Sequence, residues 1–433
     1  MDSRLSDTAS RGRQFHHGLW LALCLLVSSA HAQTAATAPP LTLYELLDHA
    51  SYFYPTLRAA RVEARASNED TSAIRRQRWP TVSVNTESHT GNLRSFPSSA
   101  MQVQQTIWDF GRLSSRIDEA EAVEKTSLLN VYLQQQDLFL QIIAAWQNLL
   151  ASRERMKVAE EALARLKAYQ AQMRRRVEAE ASPRIDLELV EARLLQTEVE
   201  LTTAQTSLQV AVTRLEQFTG MEQLQLRVNA APPLAGLKDT ATFAELMKAT
   251  DWLYVASQSP LVAKARAQLR QAQMKLEGKK SEALPQVYVR AYKPLNTIPT
   301  SQDTSPTAFV GLSYAPGAGL STYAEAQAMG TRVSGAQLAI ESALLEVQQT
   351  LQSDREEFVN ARLRISAIEK AVEGSELVMA SYKRQFEAGK KTWLDLLNSV
   401  RELAQNQYNQ ADARGTLMGS MYRLQLRMGN LPL

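Results

Sequence analysis

The stretch that decides the fold is residues 113–179, LSSRIDEAEAVEKTSLLNVYLQQQDLFLQIIAAWQNLLASRERMKVAEEALARLKAYQAQMRRRVEA. It contains no proline and no glycine, and its apolar residues recur every three or four positions, which predicts a helix. At 1.5 Å per residue such a helix extends about 100 Å. A pattern of this length is typical of a coiled coil, a membrane span or a helical array. Because charged residues are spread along it, a membrane span is excluded, and the helix must pack against other long helices.

The composition supports long helices rather than a set of globular domains. Among 433 residues there are only 17 glycines and 15 prolines, and both are clustered. The formal net charge is +3, and no basic face is interleaved with aromatic residues. A nucleic-acid partner is therefore not expected.

Residues 1–32 are predicted to be a cleaved secretory signal peptide. Arginines precede an apolar run at residues 19–27, and Ala30 and Ala32 provide a small-residue cleavage site. The apolar run is shorter than the ~20 residues of a membrane span. The only cysteine, Cys24, lies in this segment behind Leu23, which is not small, so lipidation is not expected. The mature chain should contain no disulfide.

After a flexible leader at residues 33–41, the first half of the chain follows a plan of helix, hairpin, long helix and helix. We assign repeat 1 to residues 42–220, with a first helix over 42–78, a β-hairpin at about 80–110, the long helix 113–179 and a helix over 183–219. The first helix is expected to have a break near its beginning, at Tyr52-Phe53-Tyr54-Pro55. In the hairpin the apolar period changes from 3.6 to 2. The last helix has a regular heptad pattern, with Ser182 as its expected N-cap and Pro183 as its first residue. Residues 221–243 show no strong periodicity and are interpreted as a linker or equatorial segment.

The same plan then starts again, which indicates an internal duplication. Residues 55–61 match residues 260–266 at an offset of 205, and Pro80 matches Pro285 at the same offset. Asp186 matches Asp395 at an offset of 209. Repeat 2 is therefore residues 244–433, comprising a helix, a hairpin at about 285–315, a long helix at 320–388 and a helix at 392–429.

The lengths of these elements predict how they pack. Two short helices placed end to end nearly equal one long helix, so each long helix should lie beside two stacked short ones. The predicted strands have about ten residues, one apolar face and aromatic ends, as in a transmembrane β-barrel, although Arg290 and Gln105 interrupt the pattern. Four strands cannot close a barrel, and an open edge cannot lie in lipid. Three copies would supply twelve strands; the alternative is two soluble hairpins that cap a helical bundle.

Three kinds of motif stand out: the strand starts Pro80-x-Val-x-Val and Pro285-x-Val-x-Val, the strand-to-helix corner Gln104-Gln-Thr-Ile-Trp-Asp-Phe-Gly-Arg112, and the helix turn Phe386-Glu-Ala-Gly-Lys-Lys-Thr-Trp-Leu-Asp-Leu-Leu397. Together they resemble the TolC family of outer-membrane efflux and secretion channels. The resemblance covers essentially the whole mature chain. It implies strand–helix corners at Pro80, Gly111, Pro285, Pro316 and Gly317.

The resemblance also implies an architecture and partners. The fold would be mainly α with a β-barrel portion: a homotrimeric twelve-stranded barrel in the outer membrane of a Gram-negative bacterium, continued by a long α-helical barrel in the periplasm. Such a channel is the passive exit duct of a tripartite efflux or type I secretion system. Its partners would be a periplasmic adaptor (membrane fusion) protein and an inner-membrane ABC or proton-driven transporter.

No catalytic, cofactor or metal site is predicted. Beyond the signal peptide the chain has two histidines, His49 and His89, no cysteine, no metal-spaced ligand cluster and no phosphate-binding glycine loop. Two other functions remain open. One is a soluble periplasmic coiled-coil adaptor or scaffold, and the other is an adhesin with binding loops at residues 90–99 and 294–306.

The helix turns hold the candidate gate, since in the family they form the periplasmic aperture. Asp186 and Asp395 lie in the first turns of equivalent helices, where trimerisation would make rings of carboxylates that favour cations. Alternatively, each carboxylate only complements its helix dipole, and Thr392-x-x-Asp395 forms a capping box. Asn398 occupies the place where the family often has a second acid.

Basic residues near the turns complete the predicted set of site residues. Lys390 and Lys391 are assigned to the aperture, where they would pair with acids such as Glu178 and Glu180, or else remain solvated. The predicted adaptor-docking tips are the following residues: Arg174, Arg175, Arg176, Pro183, Gly389 and Trp393. Trp393 is interpreted either as a packing wedge or as an anchor that faces the adaptor.

Overall fold

A computed structural model describes residues 41–91, 94–234, 240–295, 305–315 and 317–431. The predicted signal peptide, most of the leader and the corner residue Pro316 lie outside these ranges. Parts of the two loops considered for an adhesin also lie outside them. Within the described ranges, no helix is long and apolar enough to cross a membrane.

The described chain forms ten α-helices and four strands in two repeats. Repeat 1 contains α1 (Leu43–Phe53), α2 (Pro55–Arg76), β1 (Thr81–Gly91), β2 (Arg94–Trp108), α3 (Arg112–Glu178) and α4 (Arg184–Thr219). Between the repeats lie α5 (Leu224–Arg227), a 3-10 turn (Val228–Ala230), α6 (Ala241–Ala249) and α7 (Trp252–Gln258). Repeat 2 contains α8 (Pro260–Glu282), β3 (Gln286–Pro294), β4 (Thr307–Ser313), a 3-10 turn (Ala318–Leu320), α9 (Ser321–Glu387) and α10 (Trp393–Arg427).

The two long helices α3 and α9 have the same length, 67 residues each. In α3 the side chains of Leu138, Phe139, Ile142 and Ile143 are all at most 2% exposed, and at 3.6 residues per turn they cover an arc of about 140°. Burial over so wide an arc requires more than one neighbouring helix. In the structure α3 packs along α2 and α4 on one flank and along α8 and α10 on the other. The predicted side-by-side packing of one long helix with two stacked short helices is therefore observed.

Helix α9 contacts α8 and α10, so the helices follow the lateral order α2/α4, α3, α8/α10, α9. The far side of α9 carries exposed apolar residues, among them Leu338, Leu345 and Leu363. The free side of α4 carries Leu195 and Val199, which are also exposed. Both lateral ends of the helical layer thus present apolar side chains that one copy of the chain leaves uncovered.

The four strands form one antiparallel sheet in the order β1-β2-β3-β4. The two hairpins are joined through β2 and β3, which pair from Ala100 with Pro294 to Trp108 with Val287, with a bulge between Thr106 and Trp108. They are therefore not two separate hairpins that cap a bundle. The sheet ends at β1 on one side and at β4 on the other.

The described parts of the segment between the repeats, residues 221–234 and 240–243, contain helical turns and buried residues. Leu224 and Val228 are 1% and 3% exposed and belong to the main apolar core. The Arg153 guanidinium donates hydrogen bonds to the carbonyl oxygens of Val228 and Ala231 at 3.1 and 2.7 Å. Arg227 donates to both carboxylate oxygens of Glu45, at 2.7 and 2.8 Å. The interpretation as a linker or equatorial segment stays a prediction, and the order of the described part comes from contacts with distant residues such as Arg153 and Glu45.

The break between α1 and α2 lies within the expected stretch Tyr52-Phe53-Tyr54-Pro55. The predicted first helix over 42–78 is interrupted at Tyr54, which has extended backbone angles and precedes Pro55. Proline disfavours the helical conformation of the residue before it. The Thr42 hydroxyl caps α1 by accepting from the Glu45 backbone N–H at 3.3 Å.

Candidate functional site

The candidate site lies where α3 turns into α4 and α9 turns into α10. Both long helices end in the same way: the N–H of Ala181 donates to the Arg176 carbonyl, and the N–H of Lys390 donates to the Gln385 carbonyl, each at 2.8 Å. These bonds span five residues and define a Schellman motif, which needs a left-handed residue. That residue is Gly389 in repeat 2 and Glu180 in repeat 1, with φ of 71° and 57°.

The two following helices begin differently. Thr392 is the N-cap of α10, and its hydroxyl accepts from the Asp395 N–H while the Asp395 carboxylate accepts from the Thr392 N–H, so the predicted capping box is present. Helix α4 has Pro183 as its N-cap, with no side-chain cap. The assignment of Ser182 as that N-cap was wrong, because the Ser182 hydroxyl instead accepts from Arg176 Nε at 3.1 Å.

The two equivalent aspartates have different surroundings. Asp395 Oδ2 accepts from the Thr392 hydroxyl at 2.8 Å and lies 3.9 Å from Lys391 Nζ. The hydrogen bond from the Thr392 hydroxyl, followed by that from its backbone N–H, holds the pKa of the Asp395 carboxyl below its ordinary value. The Asp186 carboxylate makes no hydrogen bond or ion pair with any residue that the structure describes. Both carboxylates are partly exposed, one per helix turn.

Trp393 ties the two turns together from within. Its side chain is 3% exposed, and its indole Nε1 donates to the Asp186 carbonyl oxygen at 2.9 Å. Its ring lies edge-on to Tyr169, with centroids 5.7 Å apart, and against Phe386, with centroids 5.1 Å apart. Of the two interpretations of Trp393, this burial favours the packing wedge. The contacts join α3, α4, α9 and α10 in one tip cluster.

The two lysines of the turn are exposed to different degrees. Lys390 is exposed and forms no ion pair within the described residues. The Lys391 ammonium lies 4.5 Å from the centre of the Tyr382 ring, in a cation–π contact, and also lies near the Asp395 carboxylate. Within one chain neither lysine contacts Glu178 or Glu180, so the expected pairing with these acids remains a hypothesis about neighbouring copies.

The arginine triplet at the end of α3 divides in two. Arg174 and Arg175 are exposed, and Arg174 lies at the 4.0 Å limit of an ion pair with Glu191. Arg176 is half-buried, with its guanidinium 5.1 Å from the centre of the Phe386 ring. Arg176 thus stabilises the tip, whereas Arg174, Arg175, Pro183 and Gly389 present exposed surface at the turns.

Asn398 lies one helical turn beyond Asp395 and lines an open groove between α4 and α10. The floor of the groove is apolar, formed by residues such as Leu166 and Val400, and Arg193 and Arg401 lie at its sides. At the far end of the groove, burial raises the pKa of Tyr408 to about 12. The groove thus carries both polar and apolar surface directly behind the turns.

At the other end of the long helices, the strand–helix corner has a specific cap. Phe110 and Gly111 have positive φ angles of 53° and 85°. The Asp109 carboxylate accepts from the N–H groups of Gly111 and Leu113, at 3.1 and 2.8 Å. Pro80 and Pro285 are the residues directly before β1 and β3. Gly317, which precedes α9, has a φ angle of 77°.

Comparison with known proteins agrees with this architecture. Residues 46–221 match the family model described as outer membrane efflux protein. A membrane protein from Pseudomonas aeruginosa has the same fold, with a TM-score of 0.77, 17% identity, and coverage of 89% of this chain and 90% of that chain. The outer membrane protein VceC from Vibrio cholerae has a TM-score of 0.76 and 13% identity, with coverage of 89% of this chain and 96% of that chain. The open-state MtrE outer membrane channel of Neisseria gonorrhoeae has a TM-score of 0.68 and 17% identity, with coverage of 89% of this chain and 88% of that chain.

No curated protein sequence matches the chain significantly. The family match covers repeat 1, and the structural similarity extends over both repeats. Residues 46–221 are therefore similar to outer membrane efflux proteins, and both repeats share the fold of these solved structures, in agreement with the resemblance to TolC-type channels.

Proposed function

We propose that three copies of this chain form the outer-membrane exit duct of a tripartite efflux or type I secretion system. The duct passively conducts substrate from an inner-membrane pump, through a periplasmic adaptor, to the cell exterior. The observation that carries the proposal is that the sheet and the helical layer each end with uncovered sides. Open strand edges are not tolerated in lipid, and exposed apolar helix faces favour association.

The sheet surface supports a position in the membrane. One face carries exposed apolar side chains, including Val82 at 57%, Ile107 at 60%, Val310 at 72% and Leu312 at 67%. The register places Val82 beside Val103 and Val289 beside Val310, so the apolar face is continuous across the strands. Trp79 and Trp108, both exposed, lie at the helix-proximal end, where an aromatic girdle belongs. A soluble adaptor or scaffold would have no reason to expose such a face.

Three copies would close the sheet, and the number three is taken from the resemblance to TolC-type channels. Four strands per chain and an allowed even strand count give twelve strands in a trimer. Joining β4 of one copy to β1 of the next also brings α9 towards α2 and α4 of the neighbour. The exposed residues Leu345 and Leu195 are among those that this contact would cover.

At the tip we propose that Asp186 and Asp395 form carboxylate rings that narrow the aperture and favour cations. Asn398 in place of a second acid makes this aperture less acidic than two full rings on α10 would. Lys390 and Lys391 contact acids of neighbouring copies in the closed state. Exposed residues at the turns dock the adaptor: Arg174, Arg175, Pro183 and Gly389, supported from within by Arg176 and Trp393.

Cysteine cross-linking tests the assembly, because the predicted mature chain has no cysteine of its own. Thr81 begins β1 and Ser313 ends β4, so both lie at the helix-proximal end of opposite sheet edges. A Thr81→Cys, Ser313→Cys double variant treated with a short bis-maleimide should give covalent trimers in outer-membrane fractions. Each single variant is the control and should stay monomeric. A double variant that yields only monomers, or a protein recovered in the soluble periplasm, would reject the proposal.

Planar-bilayer recording tests the aperture. Asp395→Ala should raise single-channel conductance and reduce the preference for cations, because it removes one carboxylate per copy. Glu188→Ala, also at the tip but on an exposed side chain 3.8 Å from Arg184, is the matched control. Unchanged conductance and selectivity in Asp395→Ala would remove the aperture assignment while leaving the duct itself in place.

A further inference from the structure

Among the side chains that the structure describes, Arg290 places a positive charge at mid-strand on the polar face of the sheet. Arg290 lies on β3 between Gln104 of β2 and Phe309 of β4, its register partners on either side. Its Nε and Nη2 atoms donate to Gln104 Oε1, at 3.0 and 2.7 Å. Arg290 interrupts the apolar pattern in the sequence, but the register places it on the face opposite Val289 and Val310. Its position is therefore consistent with a barrel whose polar face is inside.

Two aromatic rings hold the guanidinium. Its central carbon lies 4.9 Å from the centre of the Tyr288 ring and 5.6 Å from that of Phe309. The Tyr288 ring itself lies over Gly311, its cross-strand partner, and any Cβ at Gly311 would collide with that ring. Gly311 thus seats Tyr288, and Tyr288 and Gln104 fix Arg290. The guanidinium is held in place by neutral groups.

The charge of Arg290 is uncompensated. Arg290 forms no ion pair with any described residue, and the described side chains that share its face on neighbouring strands are neutral, such as Gln102, Thr106 and Tyr292. A guanidinium has five N–H donors, and the bonds to Gln104 use only those on Nε and Nη2. The remaining donors and the exposed part of the Phe309 ring, which is 43% exposed, are available to contact a ligand.

We propose that Arg290 forms a binding ring for organic anions within the barrel, with Tyr288 and Phe309 as aromatic walls. The inference rests on the proposed trimer, in which three copies of Arg290 lie at one level of the lumen. A ligand that combines an anionic group with a planar aromatic body fits this chemistry, because the guanidinium binds the anion and the rings stack on the body. The ring would lie at the opposite end of the duct from the carboxylates of Asp186 and Asp395.

Side-specific block of single channels tests the ring. The probe is pyrene-1,3,6,8-tetrasulfonate, added to the chamber that faces the barrel, so that it meets Arg290 before the distant aperture. The wild-type channel should be blocked in a voltage-dependent way. Arg290→Gln should weaken the block by at least about tenfold, since each copy loses a charge-assisted hydrogen-bond donor. Arg290→Lys should retain part of the block because it keeps the charge.

Lys293 provides the matched control. It lies on the same strand, three residues away, and pairs with Met101 on the apolar outer face. Lys293→Gln removes the same charge without changing the polar face, so its block should equal that of the wild type. Arg290→Gln channels that are blocked as strongly as the wild type, or an equal loss in Lys293→Gln, would overturn the proposal.

The outcome also separates this inference from the proposed function. The Thr81→Cys, Ser313→Cys cross-link, introduced into Arg290→Gln, reports whether the variant still assembles. Covalent trimers that conduct but retain full block contradict the anion ring alone. A wild-type chain that forms neither trimers nor channels contradicts the duct and, with it, the ring.

Discussion

The indole nitrogen of Trp393 donates a hydrogen bond to the backbone carbonyl oxygen of Asp186 at 2.9 Å, and so connects the first turns of α10 and α4. The two residues are 207 positions apart and belong to different repeats. Any movement that separates the two helix turns must break this bond and expose the tryptophan. The tip cluster therefore resists opening from inside each chain, in addition to contacts between chains.

Replacing Trp393 with phenylalanine should loosen the tip without emptying it. The variant keeps an aromatic ring beside Tyr169 and Phe386 but loses a hydrogen bond worth about 0.5–1.5 kcal/mol. Hydrogen exchange of backbone amides in residues 185–190 should accelerate up to about tenfold. Trp79→Phe is the control, because the Trp79 side chain is 74% exposed and lies at the opposite end of the long helices. It should leave the exchange of these amides unchanged. Unaltered exchange in Trp393→Phe would show that the bond does not hold the turns together.

The protonation of Asp395 should depend on Thr392. Because the Thr392 hydroxyl and N–H hold the pKa of Asp395 below its ordinary value, the carboxylate stays charged as the pH falls from 7 to 5. Its contribution to folding is complete above the unfolded-state pKa and disappears only as the pH falls through the lower folded-state pKa. Thr392→Val removes the hydroxyl and should move the acidic midpoint of cation selectivity to a higher pH. Reversal potentials measured over a pH series, with Thr392→Ser as control, provide the comparison.

The left-handed residues of the two turns predict opposite effects of two substitutions. A non-glycine residue in this conformation costs about 1–2 kcal/mol, and Glu180 bears that cost where repeat 2 has Gly389. Glu180→Gly should therefore stabilise its turn by up to about 1 kcal/mol after the entropy of the unfolded chain is included. Gly389→Ala should destabilise its turn by about 1 kcal/mol.

Local hydrogen exchange at the two turns measures both changes. Gly374→Ala is the control for glycine replacement, because Gly374 lies inside α9 with ordinary helical angles and open space around its Cα. There alanine should increase stability by roughly 0.5–1 kcal/mol. Suppose that Gly389→Ala stabilised its turn as much as Gly374→Ala stabilises α9. The assignment of a left-handed conformation to Gly389 would then be wrong.

The sequence predicted the long helices well because their formation depends on local properties. The absence of glycine and proline over residues 113–179 and the 3.6-residue period act within each turn of helix, so helix α3 ends within one residue of the prediction. The capping box of Thr392 and Asp395 is local for the same reason. The side of the sheet on which Arg290 lies followed only when the strand register was known.

What the sequence did not predict depends on contacts between distant residues. The burial of Trp393 requires Tyr169 from the other repeat, so the sequence left two roles open for it. The order of residues 221–234 involves Arg153, whose partners lie 75 to 79 positions away. The only sign of this order in the sequence is a few apolar residues such as Leu224 and Val228. The segment is too short for them to establish a helical or strand period.

Arg153 provides the last test, since it holds the segment between the repeats. Its guanidinium donates to the carbonyl oxygens of Val228, Ala231 and Pro232, at 3.1, 2.7 and 2.9 Å, and its side chain is 13% exposed. Hydrogen bonds from a charged donor contribute about 1.5–3 kcal/mol each, so Arg153→Ala should release the segment locally. Trypsin should then cleave after Arg227 faster than in the wild type.

Arg155→Ala is the control. The Arg155 side chain is 42% exposed and lies 3.6 Å from Asp412, so its loss should change the cleavage rate little, because exposed ion pairs contribute about 0–1 kcal/mol. Equal cleavage rates in Arg153→Ala and Arg155→Ala would mean that apolar burial of Leu224 and Val228 alone orders the segment.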